Sequence, residues 1–126
     1  MFERSLPEGL EAVVTNIEIP WSIAFSPEGE MYFTEREGRL SVLKGDEVKI
    51  LHEFEVEAGK GDEGGLLGLD FHPDYPKTSF LYLYYTYRDV KGVWNRIARY
   101  RLDNDKLFDE ENKHHVTEIS KFSYLM

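Results

Sequence analysis

The stretch GDEGGLLGLDFHPD, residues 61–74, holds most of the side chains whose types and spacing could do chemistry. It surrounds an apolar run with carboxylates, glycines and one histidine. Glycines let backbone amides come close to a bound group, so a ligand cradle is one interpretation. A tight turn into a β-strand is the other, and the spacing does not match a calcium-binding EF-hand loop. The residues alone favour the tight turn.

The histidines do not form a catalytic or metal-binding set. His72 precedes Pro73 as Ser26 precedes a proline in a related motif, so a structural hydrogen-bonding role is predicted. His114 and His115 are adjacent and point to opposite sides of a strand, which makes a poor chelate. We therefore predict no metal ligand and no catalytic residue. The absence of cysteine excludes disulfides and thiolate metal sites.

The bulk composition sets the protein class. The chain has 126 residues, 41% of them hydrophobic, which is enough for one domain with a modest core. Its net charge of −9 repels phosphate backbones, so nucleic acid is not expected as a partner. No apolar run approaches the roughly 20 residues of a membrane span. The N-terminus lacks the basic and then apolar pattern of a signal peptide.

Alternation of apolar and polar residues dominates the chain and predicts strands joined by short, turn-rich connections. A further strand is predicted at residues 10–19, and a weaker one at 115–119 after a polar linker, 103–113. The main predicted strands cover residues 21–26, 31–36, 39–44, 47–54, 66–72, 80–87 and 93–102.

Two halves of the sequence repeat each other. Residues 23–28 read IAFSPE and residues 69–74 read LDFHPD, so Phe25 matches Phe71 at an offset of 46. Four strands repeating at this interval are typical of β-propeller blades. The predicted fold is all-β, with two four-stranded antiparallel blades at residues 20–54 and 64–119 and the additional strand at 10–19. Because propellers have about four to eight blades, the ring is incomplete in this chain.

Four segments carry a resemblance to a known family: residues 19–40, IPWSIAFSPEGEMYFTEREGRL; 63–76, EGGLLGLDFHPDYP; FLYLYYTY; and NRIARYRL. Over about residues 10–103 the chain resembles the N-terminal portion of soluble quinoprotein sugar dehydrogenases, which use pyrroloquinoline quinone (PQQ). The resemblance implies a six-bladed propeller with PQQ and calcium as cofactors. It also implies oxidation of an aldose at C1 by hydride transfer to PQQ, an external electron acceptor, and a periplasmic or extracellular location.

The resemblance assigns few residues. The family's catalytic histidine lies in a His-x-Gly-Gly-Arg motif, which none of the four histidines has, and the quinone and calcium ligands are unassigned. Glu63 falls where the family places a polar residue facing the sugar pocket, and Arg36 is a candidate for the rim of that pocket. The histidines are His52, His72, His114 and His115.

Two functions follow from this sequence. The first is an N-terminal portion of a PQQ-dependent sugar dehydrogenase that lacks activity on its own. The second is a non-enzymatic β-module that binds partners or assembles with itself. In the second case, three copies could close a six-bladed ring and cover the exposed blade faces.

Overall fold

A computed structural model describes residues 6–59, 63–109 and 116–121 of the chain. Nine strands and no helix are found in these ranges, so nothing among them could span a membrane as a helix. The strands are β1 Pro20–Phe25, β2 Met31–Glu35, β3 Arg39–Lys44, β4 Glu47–Glu53, β5 Leu66–Phe71, β6 Phe80–Asp89, β7 Gly92–Asp103, β8 Lys106–Asp109 and β9 Val116–Lys121.

The strands form two antiparallel sheets, which we call blade 1 and blade 2. Blade 1 has the order β1-β2-β3-β4, and blade 2 has the order β5-β6-β7-β8. Strand β9 pairs with β7 alongside β8, so β8 and β9 share the outer position of blade 2. The all-β prediction and the two-blade meander are therefore confirmed.

Two sequence-based expectations differ from the structure. The segment 10–19 forms bends rather than a strand, and Asn16 interrupts it with a φ of 63°. No strand in the described ranges pairs with this segment. The predicted linker 103–113 begins with a hairpin, because Asn104 and Asp105 both adopt positive φ, as the central residues of a type I′ turn do. This turn folds β8 back onto β7.

The core lies between the two blades. Leu40 of blade 1 is buried in a cluster with residues of blade 2 that include Leu66, Leu81 and Leu83. The Thr34 hydroxyl donates a hydrogen bond of 2.8 Å to the Leu67 carbonyl across the same interface. Burial alternates along the first part of β6, as expected for a strand with one face in the core, whereas four consecutive residues of β2 are buried, so β2 is covered on both faces.

On the opposite face of blade 1, apolar side chains of the two outer strands are exposed, whereas Phe33 and Ser41 between them are buried. Cross-strand rows on this face contain Ile23 with Ile50, and Phe25 with Val48. The exposed fractions of these four side chains range from 43% to 63%. We call this surface the open face of blade 1.

An ion cluster links the blades at the β7–β8 turn. The Oδ2 atom of Asp105 lies 3.1 Å from Lys44 Nζ and 3.4 Å from Lys49 Nζ. Partial burial alone would raise the pKa of Asp105, but the two ammonium groups outweigh it and hold that pKa below its ordinary 3.8.

We expect this cluster to make the stability pH-dependent at the acid end. A lowered folded-state pKa contributes stability that is present above the ordinary pKa and is lost as the pH falls below about 4. Asp105→Asn should remove that contribution, which is below about 1 kcal/mol because the lysines are exposed to solvent. Urea unfolding of both proteins at pH 7 and pH 3 measures it, and an equal difference at the two pH values would contradict it.

Candidate functional site

The connection from β4 to β5 is held in place by Arg36, which follows β2. The Arg36 Nε atom donates to the Gly64 carbonyl, and an Nη atom donates to the Gly59 carbonyl, both at 2.7 Å. The Arg36 backbone carbonyl also accepts a bond of 2.9 Å from Leu66 N. One residue of blade 1 thus fixes both arms of the loop that leads into blade 2.

Two glycines permit this close contact. Gly65 has a φ of 135°, and a Cβ there would overlap the Arg36 carbonyl oxygen and lie 2.7 Å from Arg36 Cγ. A Cβ on Gly64 would overlap the carbonyl oxygen of Glu57. The glycines of the EGG motif are therefore needed for packing of backbone on backbone. This supports the tight-turn interpretation of the motif.

The same loop is tied to the edge of blade 2. Thr86 N donates to the Gly65 carbonyl at 3.0 Å, and Glu57 N donates to the Thr86 carbonyl at 2.8 Å. Both carboxylate oxygens of Glu57 lie 3.1 Å from the guanidinium of Arg88. This two-point pairing adds geometric definition to the loop, although its exposure limits its contribution to stability.

The structure brings together the two site residues predicted from the sequence. Glu63 is exposed and directly precedes Gly64, whose carbonyl Arg36 binds. Arg36 contacts loop carbonyls through its side chain, so it supports the turn that carries Glu63. Contact of either residue with a sugar stays a prediction.

A cavity of about 560 Å³ lies beside this loop. It is lined by the end of β4 and the residues after it, together with part of blade 2. Its lining combines aromatic rings with charged groups of both signs: His52, Glu53, Phe54, Glu55, Val56, Glu57, Tyr85, Tyr87, Arg88 and Arg96.

A buried carboxylate, Glu35, was not singled out from the sequence. It is 2% exposed, and its Oε2 atom accepts a bond of 2.7 Å from Glu18 N. Arg39 Nη1 lies 3.4 Å from the carboxylate. Its burial could have been predicted from its position: Glu35 lies two residues after Phe33 in β2 and therefore on the same face of the strand. Its partners indicate a structural role, holding the segment before β1 against β2.

The histidines occupy separate positions. His72 Nδ1 accepts a bond of 3.0 Å from Asp74 N, which is the strand-end role predicted for it. His52 lies at the cavity and packs edge-to-face on Phe54, with ring centroids 4.5 Å apart. His114 and His115 lie outside the described residues.

The residues around Glu63 do not form a holder for PQQ or calcium. A quinone bearing carboxylates needs cationic partners, whereas the Arg36 guanidinium is bonded to carbonyls and that of Arg88 to Glu57. No group of three or more metal-ligating side chains occurs within residues 6–59 and 63–108.

Comparison with known proteins gives the family. A family model described as Glucose / Sorbosone dehydrogenase matches residues 17–121. The chain belongs to this family. A structure from Thermus thermophilus, described as an oxidoreductase (glucose dehydrogenase), is 32% identical with a TM-score of 0.74, covering 86% of this chain and 32% of that one. The PQQ-bound aldose sugar dehydrogenase of Streptomyces coelicolor is 28% identical with a TM-score of 0.66, covering 90% and 33%.

A differently named protein also matches. The Hedgehog-interacting protein of Homo sapiens is 33% identical over 87 residues, which are 61% of this chain and 12% of that protein. The chain spans 26% or less of the length of the curated relatives that it matches, and about a third of the solved glucose/sorbosone dehydrogenase family structures. The two blades are thus blades of a sugar dehydrogenase-like β-propeller.

Substitution of Arg36 tests its support of the loop. We expect Arg36→Ala to lower the free energy of unfolding by about 2 kcal/mol, because two carbonyls lose a charged donor. Arg36→Lys should restore part of this loss, since one ammonium cannot reach both carbonyls in the same geometry. Urea denaturation measures both variants. Lys77→Ala, at an exposed cation of the β5–β6 connection, is the control, and an equal loss in both alanine variants would contradict the prediction.

Proposed function

We propose that this chain forms two blades of a PQQ-dependent sugar dehydrogenase-like propeller and contributes Glu63 to the sugar-facing surface. The sequence contains no His-Gly-Gly motif, so we also propose that these 126 residues do not oxidise sugars by themselves. For the whole protein we propose oxidation of an aldose at C1 with PQQ as the cofactor, and we assign no step of that reaction to residues of this chain.

The proposal rests on the turn that carries Glu63. Arg36 and the two glycines hold the backbone of this turn on both sides, so an exposed carboxylate stands on a fixed support. A binding group that is already ordered loses less conformational entropy when a ligand arrives. The family match over residues 17–121 and the likeness to a PQQ-bound sugar dehydrogenase support the choice of ligand.

Two measurements test this proposal. With PQQ, calcium, glucose and an artificial electron acceptor, we expect no dye reduction by the chain alone. Glucose should nonetheless shift the backbone amide resonances of residues 63–66 in an ¹⁵N spectrum, and Glu63→Ala should abolish those shifts. Dye reduction, or glucose shifts that persist in Glu63→Ala, would overturn the proposal.

The open face of blade 1 favours a second candidate, self-assembly of a non-enzymatic module. At the 46-residue offset, Ile23 and Phe25 correspond to Leu69 and Phe71. The latter two side chains pack against the buried clusters between blade 1 and blade 2. A surface with the chemistry of a blade interface is therefore solvent-exposed in one chain. Large exposed apolar surfaces indicate an interaction site.

The far side of blade 2 offers a matching surface for a second copy. It has an apolar hollow of about 170 Å³ lined by residues that include Gly68, Tyr82, Tyr84 and Ile97. Large side chains of the open face, such as Phe25, could fill such a hollow in a neighbouring copy. A head-to-tail contact of this kind closes into a ring when the rotation allows it.

Light scattering coupled to size exclusion tests this candidate. Self-assembly predicts a trimer that Phe25→Asp converts to a monomer. Val90→Asp is the control, because Val90 is fully exposed in the β6–β7 turn. A monomeric wild-type chain would rule the candidate out.

A further inference from the structure

Two turns occupy equivalent places in the two blades. At the 46-residue offset, Ser26 of blade 1 corresponds to His72 of blade 2, and each lies between a strand-ending phenylalanine and a proline. The carbonyl of Ser26 accepts a bond of 2.8 Å from Gly29 N, and that of His72 accepts one of 3.0 Å from Tyr75 N. The backbones of the two turns are therefore closed in the same way.

The side chains that complete the two turns differ in whether they can take up a proton. The Ser26 hydroxyl accepts a bond of 3.1 Å from Glu30 N, and the Nδ1 atom of His72 accepts one of 3.0 Å from Asp74 N. A hydroxyl keeps its charge between about pH 5 and 8, whereas an imidazole ordinarily changes its charge there. An imidazole that is protonated on both nitrogens has no acceptor left, so the bond from Asp74 N requires neutral His72.

The turn of blade 2 also carries a residue of the interface between the blades. The Tyr75 ring lies 4.6 Å from that of Phe71, measured between centroids, and Phe71 packs edge-to-face on buried Tyr32 of blade 1 at 4.9 Å. Tyr75 also packs against the cluster that contains Val42 and Leu102. The position of the Tyr75 ring depends on the turn, because Tyr75 N is the donor that closes it.

Charged and titratable groups from three strands and the turn surround this imidazole. Asp74 belongs to the turn, and Asp70 of β5 lies opposite Tyr82 of β6, on which the imidazole stacks at 6.5 Å. The Arg99 guanidinium of β7 lies 4.1 Å above the ring of Phe80, which the imidazole also contacts. Both carboxylates are exposed to solvent, which screens their attraction for an imidazolium, and the arginine opposes that attraction. These groups therefore do not replace the bond that protonation removes.

We propose that His72 is a pH-sensitive switch on the contact between the blades. Uptake of a proton opens the turn at residues 72–75 and releases Tyr75 from the interface. Because the closed turn needs the neutral imidazole, the open turn binds the proton better, and the open fraction rises as the pH falls from about 8 to about 5. The turn of blade 1 stays closed over this range, since Ser26 keeps its acceptor. This switch does not depend on any sugar chemistry.

Amide hydrogen exchange tests the switch at single residues. The protection factor compares the measured exchange rate with that of an unfolded peptide at the same pH, which removes the direct effect of pH on exchange. From about pH 7.5 to about pH 5, we expect the protection factor of Tyr75 N to fall about fivefold, as the loss of one hydrogen bond predicts. That of Gly29 N, the equivalent donor in blade 1, should stay unchanged. An unchanged value for Tyr75 N, or an equal fall for Gly29 N, would overturn the switch.

A variant that takes its side chain from the other blade identifies the group that responds. His72→Ser gives the turn of blade 2 the acceptor that blade 1 has at Ser26, so the fall in the protection factor of Tyr75 N should disappear. His52→Ser is the matched control, because it removes a histidine that packs on Phe54 outside the turn, and it should keep the fall. A fall that persists in His72→Ser would show that another group titrates and would overturn the proposal.

Nuclear Overhauser effects between aromatic rings test the release of Tyr75. In the wild-type chain, those between Tyr75 and Phe71 should weaken as the pH falls, in parallel with the protection factor of Tyr75 N. In His72→Ser they should keep their strength at both pH values. If the wild-type turn opens while these ring contacts keep their full strength, the link from the turn to the blade interface is wrong.

Discussion

Gly65→Ala is expected to lower the free energy of unfolding by about 2–6 kcal/mol. A φ of 135° costs an alanine roughly 1–3 kcal/mol, because L side chains rarely adopt it. The new methyl group would also overlap the carbonyl oxygen of Arg36. This oxygen cannot easily move, because it accepts the hydrogen bond from Leu66 N. Relief of that overlap moves the β2 end away from β5, and overpacking of this kind costs about 1–3 kcal/mol more. Urea denaturation followed by circular dichroism measures the loss.

Gly29→Ala separates the two costs. Gly29 has a φ of 91° in the β1–β2 turn, and a Cβ there meets nothing within 4 Å. This variant should lose only the backbone strain, about 1–2 kcal/mol. Equal losses in the two variants would show that the contact between Gly65 and Arg36 contributes nothing.

Leu40→Ala is expected to cost about 3 kcal/mol, within the range of about 2–5 kcal/mol measured for buried leucines. Leu40 is fully buried and is the blade 1 member of a cluster otherwise formed by blade 2. The cavity left by its side chain would lie at the interface, where two sheets must shift together to fill it. The m-value should stay unchanged if the two blades still unfold as one unit.

Ile50→Ala is the matched control for Leu40. It removes an aliphatic side chain of the same size from the open face of blade 1, where Ile50 is 47% exposed. Its expected cost is below about 1 kcal/mol. A loss for Leu40→Ala no larger than that for Ile50→Ala would mean that the blades do not support each other.

The strands could be predicted from the sequence where burial of one face imposes alternation, as it does at Leu81, Leu83 and Tyr85 of β6. Strand β2 is buried on both faces and was recognisable instead from its aromatic residues and from the turn residues on either side. The segment 10–19 was wrongly predicted as a strand, since its apolar composition does not reveal whether a partner strand exists. The β8 strand was missed because it has only four residues, and the turn at Asn104 and Asp105 creates it.

The candidate site could be predicted only in part. Glu63 and Arg36 were identified through a resemblance, yet the bonds from Arg36 to Gly59 and Gly64 span 23 and 28 residues. No local pattern indicates contacts at such separations. The cavity was missed for the same reason, because its lining joins residues 52–57 of one blade with Tyr85, Tyr87, Arg88 and Arg96 of the other.

The open face of blade 1 also bears on how the polypeptide is made. During synthesis the N-terminal blade emerges first, and its inner surface is covered as soon as blade 2 has folded against Leu40. Ile23 and Phe25 on the opposite surface are not covered by blade 2 and stay exposed to solvent or to a chaperone. Aggregation during expression should therefore originate at this surface, and polar substitutions there should raise the soluble yield without changing the buried core.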